Sequence, residues 1–358
     1  MTLIVSNEEV ERLLTMSDCI GALEQAYREL AEGRAVSRTR SDTMAPIAGS
    51  DALYSLKSMD GVAPQLGVGA VRINSDVIRW PRVGNSMRRE KTPAAPGGRW
   101  VGLVLLFSSE TGEPLAIMPD GVMQRVRVGA CNGLGVKYLA RPEARRIGLL
   151  GSGWQAGAQL SAACAVRSIE EIACFSPNRD NRERFAREMS ETLGIDVRPV
   201  ESPEEALDGA DIAMCASNSV DNIFFAHWLR PGLHVSSIKR PEIEPEALRL
   251  ADRVVVHTHD AKPIHTTTKD LVIPENDEAG KGWRNASEID FRALPTLPQV
   301  IAGHAPGRQS EREVTCFLNN LGLGFQFAVA GALVYRRAKE LGIGHELPTD
   351  WFTEDVHP

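Results

Sequence analysis

No stretch of the 358-residue chain reaches the roughly 18 consecutive apolar residues that a membrane-spanning helix needs, so no membrane role is expected. Positive charge is in short supply: 40 Lys and Arg stand against 47 Asp and Glu, a formal net charge of -7. That balance argues against nucleic acid as a partner, because neutralising phosphates needs a basic face. Cysteine is sparse and scattered. Cys19, Cys131, Cys164, Cys174, Cys215 and Cys316 form no C-x-x-C pair, which leaves zinc and dithiol redox motifs unsupported. Most have apolar neighbours and read as small buried hydrophobes. His257 and His259 are two apart, but strand alternation and the lack of nearby paired acids mean that no metal is expected. Gly-x-Ser-x-Gly elbows and Cys/His nucleophile patterns are also missing. Met1 to Glu8 lacks the basic start and apolar stretch of a signal peptide, so a reduced, cytoplasmic protein is expected.

The composition that remains, 43% hydrophobic and 24% charged, is that of a globular chain long enough for two domains. Residues 3–33 read as a short strand and then helices, with Ser17 or Asp18 as a cap and Ile20, Leu23, Ala26, Tyr27 and Leu30 on one face. Alternating runs at 52–57, 68–73 and 100–107 predict strands, the last turning through Ser-Ser-Glu-Thr-Gly-Glu-Pro into 115–118. Residues Arg79 to Arg99 read as a long basic loop, carrying Arg79, Arg82, Arg88, Arg89 and Lys91, that covers a site or is simply solvated. A helix is expected over 122–139. Strands and helices then alternate from Arg145 to Val256, the signature of a parallel sheet covered on both faces. Residues 312–342 return to a long helical pattern. The expected fold is α/β: a Rossmann-type doubly wound parallel sheet over 126–315. It is inserted into a mixed α+β substrate-binding and dimerisation domain, residues 1–125 with 316–358.

The turn Gly151-Ser152-Gly153-Trp154-Gln155-Ala156 directly follows a buried strand and directly precedes a helix, where a dinucleotide pyrophosphate would sit. Gly151 permits the tight turn, Gly153 lets backbone approach the pyrophosphate, and Ala156 still allows close helix packing. The helix N-terminus adds free N–H groups and a favourable dipole. NAD binding favours an acid at the end of the second strand. Here Ser176, Asn178 and Arg179 follow instead, groups that suit a 2′-phosphate, so NADP(H) is favoured and NAD(H) remains possible. Ala216, Ser217 and Ser237 are assigned as further cofactor contacts.

Three stretches together resemble the ornithine cyclodeaminase/μ-crystallin family. They are Glu113-Pro114-Leu115-Ala116, Arg127 through Lys137-Tyr138-Leu139-Ala140 with the glycine turn, and Val314-Thr315-Cys316-Phe317 through Ala338 to Gly344. The resemblance covers roughly residues 5–345. It implies a homodimer whose N-terminal domain builds the interface and the substrate platform. It also implies hydride transfer at the carbon beside a carboxylate, through an imine. Arg127 matches the arginine that grips the substrate carboxylate, and a fork of two hydrogen bonds would fix the α-carbon for that transfer. A further arginine of the family corresponds to Arg38 or Arg40, with Arg40 preferred.

The sequence departs from the family pattern in three places. The strand that carries the family's acid/base lysine reads Gly69-Ala70-Val71-Arg72, and Arg72 does not readily give up a proton. Arg72 is therefore expected to orient substrate or stabilise charge, and Lys57 to take the proton-transfer role. The Asp that follows the 233–236 strand in cyclodeaminases is missing from Ser236-Ser237-Ile238-Lys239-Arg240-Pro241-Glu242. Ornithine cyclisation is disfavoured, and Lys239 or Arg240 is left to meet an anionic group. A position that is often acidic is Phe327, which implies a more apolar pocket. The expected activity is an NAD(P)H-dependent imine reductase or amino-acid dehydrogenase acting on a small carboxylate-bearing substrate. The alternatives are a cyclodeaminase-type lyase and a non-catalytic NADP- and ligand-binding protein.

Overall fold

The computed structural model describes residues 1–83, 86–87, 90–219, 221–239, 242–260, 263–269, 271 and 289–356, giving backbone alone for 82, 83, 86 and 87. The described residues form two large sheets joined by the helix Gly121–Leu139.

The first sheet is mixed. Its strands lie in the order Ile264–Thr267, Ser41–Pro46, Leu53–Ala63, Val68–Arg79, Val101–Ser108, Pro114–Pro119, Thr2–Ile4 and His345–Leu347. Val36–Ser37 and Glu90–Thr92 pair at its sides. Strict alternation sorts the two long central strands. Leu53, Ser55, Lys57, Met59, Gly61 and Ala63 point inward from one, and Val68, Ala70, Arg72, Asn74, Asp76 and Ile78 from the other. The apolar members of this inner face pack under the buried helix Phe325–Leu341, and the helix Met16–Ala31 packs against that helix in the same core. Thr15 caps the latter by accepting from the Asp18 N–H at 3.2 Å, so the helix starts ahead of the expected caps Ser17 and Asp18.

The second sheet is wholly parallel, ordered Val197–Pro199, Glu171–Phe175, Arg146–Leu150, Ile212–Cys215, His234–Ser237, Thr315–Leu318 and Arg253–Val256. Hydrophobic cores lie on both of its faces, which makes it the expected doubly wound sheet. The order in which strands are added reverses between Arg146–Leu150 and Ile212–Cys215, the point where such sheets open a crevice. Among the described residues no helix is long and apolar enough to cross a membrane.

Three expectations need correction. The helical reading of 312–342 breaks into the strand Thr315–Leu318 and the helix Phe325–Leu341. An apolar run of four residues has no periodicity to separate strand from helix, and pairing on both sides decides for strand. The expected division at 315/316 therefore falls inside a strand of the parallel sheet, and Ile264–Thr267, assigned to the cofactor domain, pairs with Ser41–Met44 in the mixed sheet. Finally, residues 79–99 are not one open loop. Glu90–Thr92 folds back on Val77–Arg79, and Arg82–Val83 pairs with Ser86–Met87. Arg88 and Arg89 lie outside the described residues.

Candidate active site

At the switch point the chain turns through Gly151 at φ 131°, in the left-handed region that favours glycine. A Cβ there would stand 2.2 Å from the Ala216 carbonyl oxygen, so the ends of the strands Arg146–Leu150 and Ile212–Cys215 approach too closely for any side chain. Gly153 differs: a Cβ would meet nothing within 4 Å, and no side chain caps the helix Trp154–Val166 that it begins. Open space in front of an uncapped helix N-terminus fits a pyrophosphate. Trp154 lies half exposed beside it, with the Arg125 guanidinium 5.4 Å from its ring centroid. Ser152 is partly exposed, Ala156 is buried against the sheet, and the Gln155 Oε1 is buried with no hydrogen-bond partner.

Glu242 ties the loops across the crevice. Its Oε1 accepts from the Ser217 N–H at 2.6 Å and the Ser217 hydroxyl at 2.9 Å, while Oε2 accepts from the Ile238 N–H at 3.0 Å. Burial raises its pKa against those hydrogen bonds. Ser237 is buried with its hydroxyl unpartnered. Lys239 donates to the Ser219 carbonyl, so it belongs to this loop cluster and not to the inner face of the mixed sheet. Its pKa is lowered by burial, with Glu242 opposing. Arg240 lies outside the described residues. At the end of the second strand the Asn178 side chain caps the next helix, accepting from the Asn181 N–H at 2.9 Å. Arg179 is exposed and pairs with Glu183 at 2.7 Å, whereas Arg182 is buried and donates to the Ser176 carbonyl at 2.8 Å.

The inner face of the mixed sheet carries a polar floor. Asp42, Lys57, Asn74 and Gly102 are successive cross-strand partners, with Arg72 and Asp76 two residues to either side of Asn74. Lys57 Nζ donates to Asp76 Oδ2 at 2.7 Å, and Lys91 lies 3.0 Å from the other oxygen. Burial would raise the Asp76 carboxyl, but the two lysines hold it below its ordinary value. Arg40 grips Asp42 with both edges of its fork, at 2.7 and 2.6 Å. Burial opposes ionisation of Asp42 too, and Arg40 first, then Lys57 and His265, outweighs it.

Arg72 is fully engaged: Nε donates to Asp120 Oδ2 at 2.6 Å, Nη2 to Gln124 Oε1 at 3.0 Å, and Nη1 faces Met59 Sδ at 3.6 Å. Asn74 also donates to Asp120 Oδ2, at 3.0 Å. Arg127 is different. Nη1 donates to Gln326 Oε1 at 2.9 Å, but Nε is buried with no hydrogen-bond partner. Burial and the nearby Arg72 lower its pKa to about 10. Both guanidiniums lie over one ring, Phe327, at 5.4 and 4.8 Å. Phe327 is therefore not only an apolar wall. Its π face favours two like charges without neutralising either.

The structure thus places Lys57 and Arg72 on one face of the mixed sheet and Arg127 beside Arg72 over Phe327, with Arg40 bonded to Asp42. Sequence reading missed Asn74, Asp76, Asp120, Gln124 and Gln326. Arg72-x-Asn74-x-Asp76 was a usable signal, because polar residues at period two on a half-buried strand mark a functional inner face.

A parallel sheet of this order, with a glycine turn and an uncapped helix at its switch point, defines a dinucleotide-binding fold, here joined to a second sheet with a polar floor. The chain belongs to the ornithine cyclodeaminase/mu-crystallin family, whose model matches residues 85–342. Delta(1)-pyrroline-2-carboxylate reductase of Bacillus cereus is 28% identical over 351 residues, 96% of this chain and 99% of that protein. Alanine dehydrogenase of Archaeoglobus fulgidus is 29% identical over 355 residues, 97% of this chain and 98% of that one. Delta(1)-pyrroline-2-carboxylate reductase of Thermococcus litoralis, solved with NADH and L-proline, superposes with a TM-score of 0.76. It is 27% identical and covers 97% of this chain and 100% of that chain.

Proposed function

We propose that the chain is a nicotinamide-dependent oxidoreductase of the C–N bond, reducing an α-imino acid or oxidising the matching α-amino acid. The observation that carries this reading is the free Nε edge of Arg127, a buried cation with an unused donor. A carboxylate is the group that best fits such an edge. The relatives named for pyrroline-2-carboxylate and alanine chemistry support the same substrate class.

Bound NAD(P)H would supply a hydride from nicotinamide C4 to the imine carbon. Gly151, Ser152, Gly153 and the start of the Trp154 helix would hold the pyrophosphate, with Ala216, Ser217 and Ser237 on the opposite wall. Arg127 would fix the carboxylate and so the carbon beside it. As the C=N electrons collect on nitrogen, Lys57 would deliver the proton, its ammonium oriented by Asp76. Arg72, each of whose three nitrogens already has a partner, would set Asp120 and the floor instead of binding substrate. The test is a panel of cyclic imino acids and of keto acids with ammonia or methylamine, followed by loss of NADPH absorbance. At least one cyclic imino acid is expected to turn over, and Lys57→Met to slow it about 100-fold with NADPH binding intact. Tight NADPH binding with no oxidation across the panel would sink the reading.

We further propose NADP(H) as the preferred cofactor, since Ser176, Asn178 and exposed Arg179 stand where an acid would select NAD. NADH in the Thermococcus litoralis relative sets the competing expectation. The kcat/KM ratio should favour NADPH about 10-fold or more, and Arg179→Glu should reverse it; a wild-type preference for NADH would refute this.

The outer face of the mixed sheet supports a homodimer. Tyr54, Leu56, Val62, Val101 and Leu103 are exposed apolar residues on the outer face of its central strands. Sedimentation should give a dimer, and Leu56→Glu with Leu103→Glu should give a monomer. A monomeric wild type would exclude it. The substrate unit would then be the mixed sheet with its helices, including 264–267, and the cofactor unit the parallel sheet through Leu318. Six unpaired cysteines are compatible with a reducing, cytoplasmic setting.

A further inference from the structure

Arg127 stands at one end of a line of buried polar groups. Its Nη1 donates to Gln326 Oε1 at 2.9 Å, and Gln326 Nε2 donates to the Tyr27 hydroxyl at 2.9 Å. That hydroxyl lies 2.7 Å from His257 Nε2, and His257 Nδ1 lies 2.7 Å from the Leu321 carbonyl oxygen. The four side chains come from four elements: the helices Gly121–Leu139, Phe325–Leu341 and Met16–Ala31, and the end of the parallel strand Arg253–Val256. All four residues are at least nine-tenths buried.

The two ends fix every proton between them. An arginine only donates and a carbonyl only accepts. Gln326 must therefore turn its oxygen to Arg127 and its amide to Tyr27, and the Leu323 N–H, 3.0 Å from the same oxygen, requires the same orientation. At the other end His257 donates from Nδ1, which leaves Nε2 to accept the Tyr27 O–H. Burial holds His257 neutral, its pKa pushed down to about 4, so that acceptor persists at neutral pH. The His257 backbone is clamped as well, its N–H bonding the Leu318 carbonyl at 2.9 Å and lying 3.1 Å from Asn320 Oδ1.

The line also closes on itself. Leu321 precedes Gly322, and a Cβ on Gly322 would stand 2.2 Å from Arg127 Nη1. The loop that accepts the last hydrogen bond therefore walls the guanidinium at which the first begins. Any rotation of Arg127 breaks its bond to Gln326 or collides with that loop.

We propose that Gln326, Tyr27 and His257 are positioning residues that set the plane of the Arg127 guanidinium and aim its Nε edge at the substrate carboxylate. The substrate part of this inference rests on the reading of Arg127 as the carboxylate grip. His257 follows a strand of the parallel sheet, Gln326 sits on the helix packed against the mixed sheet, and Tyr27 sits on a helix packed against that one. The line therefore also registers the carboxylate site against the cofactor crevice.

Two variants test it: Tyr27→Phe, which keeps the ring, and Gln326→Met, which keeps the length. The first readout is hydrogen exchange at the Arg127 Nε–H by nitrogen-15 NMR, the signal being assigned by its loss in Arg127→Lys. The second is the KM-against-kcat split with the best imino acid of the panel above. Both variants are expected to speed Nε–H exchange about 10-fold and raise KM about 10-fold, with kcat changed by less than about threefold and NADPH affinity unchanged. Exchange and KM both within about twofold of wild type in the two variants would overturn the proposal. An Arg127→Lys variant with unchanged KM overturns the grip reading alone, because the exchange comparison needs no substrate and still decides the positioning role.

Discussion

Arg127→Leu is expected to cut kcat/KM for a carboxylate-bearing imine by roughly 100- to 10,000-fold without lowering the melting temperature. The two halves of that expectation have different origins. Activity falls because a fork of charged hydrogen bonds to the carboxylate is lost, each worth about 1.5–3 kcal/mol in a site screened from water. Stability holds because the native cation is costly to bury. Arg127 lies at 5% exposure, its nearest charged neighbour over the same ring is Arg72, and burial already drags its pKa to about 10. Replacing such a charge with a hydrocarbon removes a desolvation penalty and offsets the hydrogen bond lost at Gln326. Steady-state kinetics with a thermal melt on the same preparation reads both. A variant that loses activity and also melts far below wild type would mean that Arg127 is a structural residue.

The glycine turn yields the second large effect, and the two glycines should fail in opposite ways. Gly151→Ala puts a side chain at φ 131° and 2.2 Å from the Ala216 carbonyl. Backbone strain and overpacking together cost about 2–6 kcal/mol, a fall in melting temperature of roughly 5–15 °C, because two adjacent strands must part. Gly153→Ala meets open space at φ -90° and should melt as wild type. Its methyl would intrude where the pyrophosphate must lie, so NADPH affinity should weaken more than about 10-fold. Nicotinamide fluorescence on binding, with a thermal melt, separates the two. Equal behaviour of both variants would mean that the turn is a structural corner and not a phosphate cradle.

Local patterns made much of this architecture legible. The turn at 151–156, the alternation in 68–73 and the succession of short apolar runs from 145 to 256 each depend on neighbours within a few residues. The site was less legible because its pairings are long-range. Arg72 and Asp120 lie 48 positions apart, and nothing near either one announces the ion pair between them. Tyr27 was read as one apolar position on a helix face, yet its hydroxyl is what joins His257 to Gln326. Phe327 was read by its hydrophobicity, whereas the ring acts through its face, under two cations. The break between Leu318 and Phe325 was hidden by a different ambiguity, since an apolar run flanked by helix-like residues carries no period of its own.

The strand Ile264–Thr267 has a bearing on how the chain acquires its shape. It departs from the parallel sheet and lies alongside Ser41–Met44, more than two hundred residues earlier in sequence. That edge of the mixed sheet stays unsheltered until most of the polypeptide has been made, and closing so large a loop has to precede any gain from the pairing. Neither half is then an autonomous folding unit. The molecule should unfold in one cooperative step, and an excised N-terminal fragment should aggregate through the edge it can no longer cover.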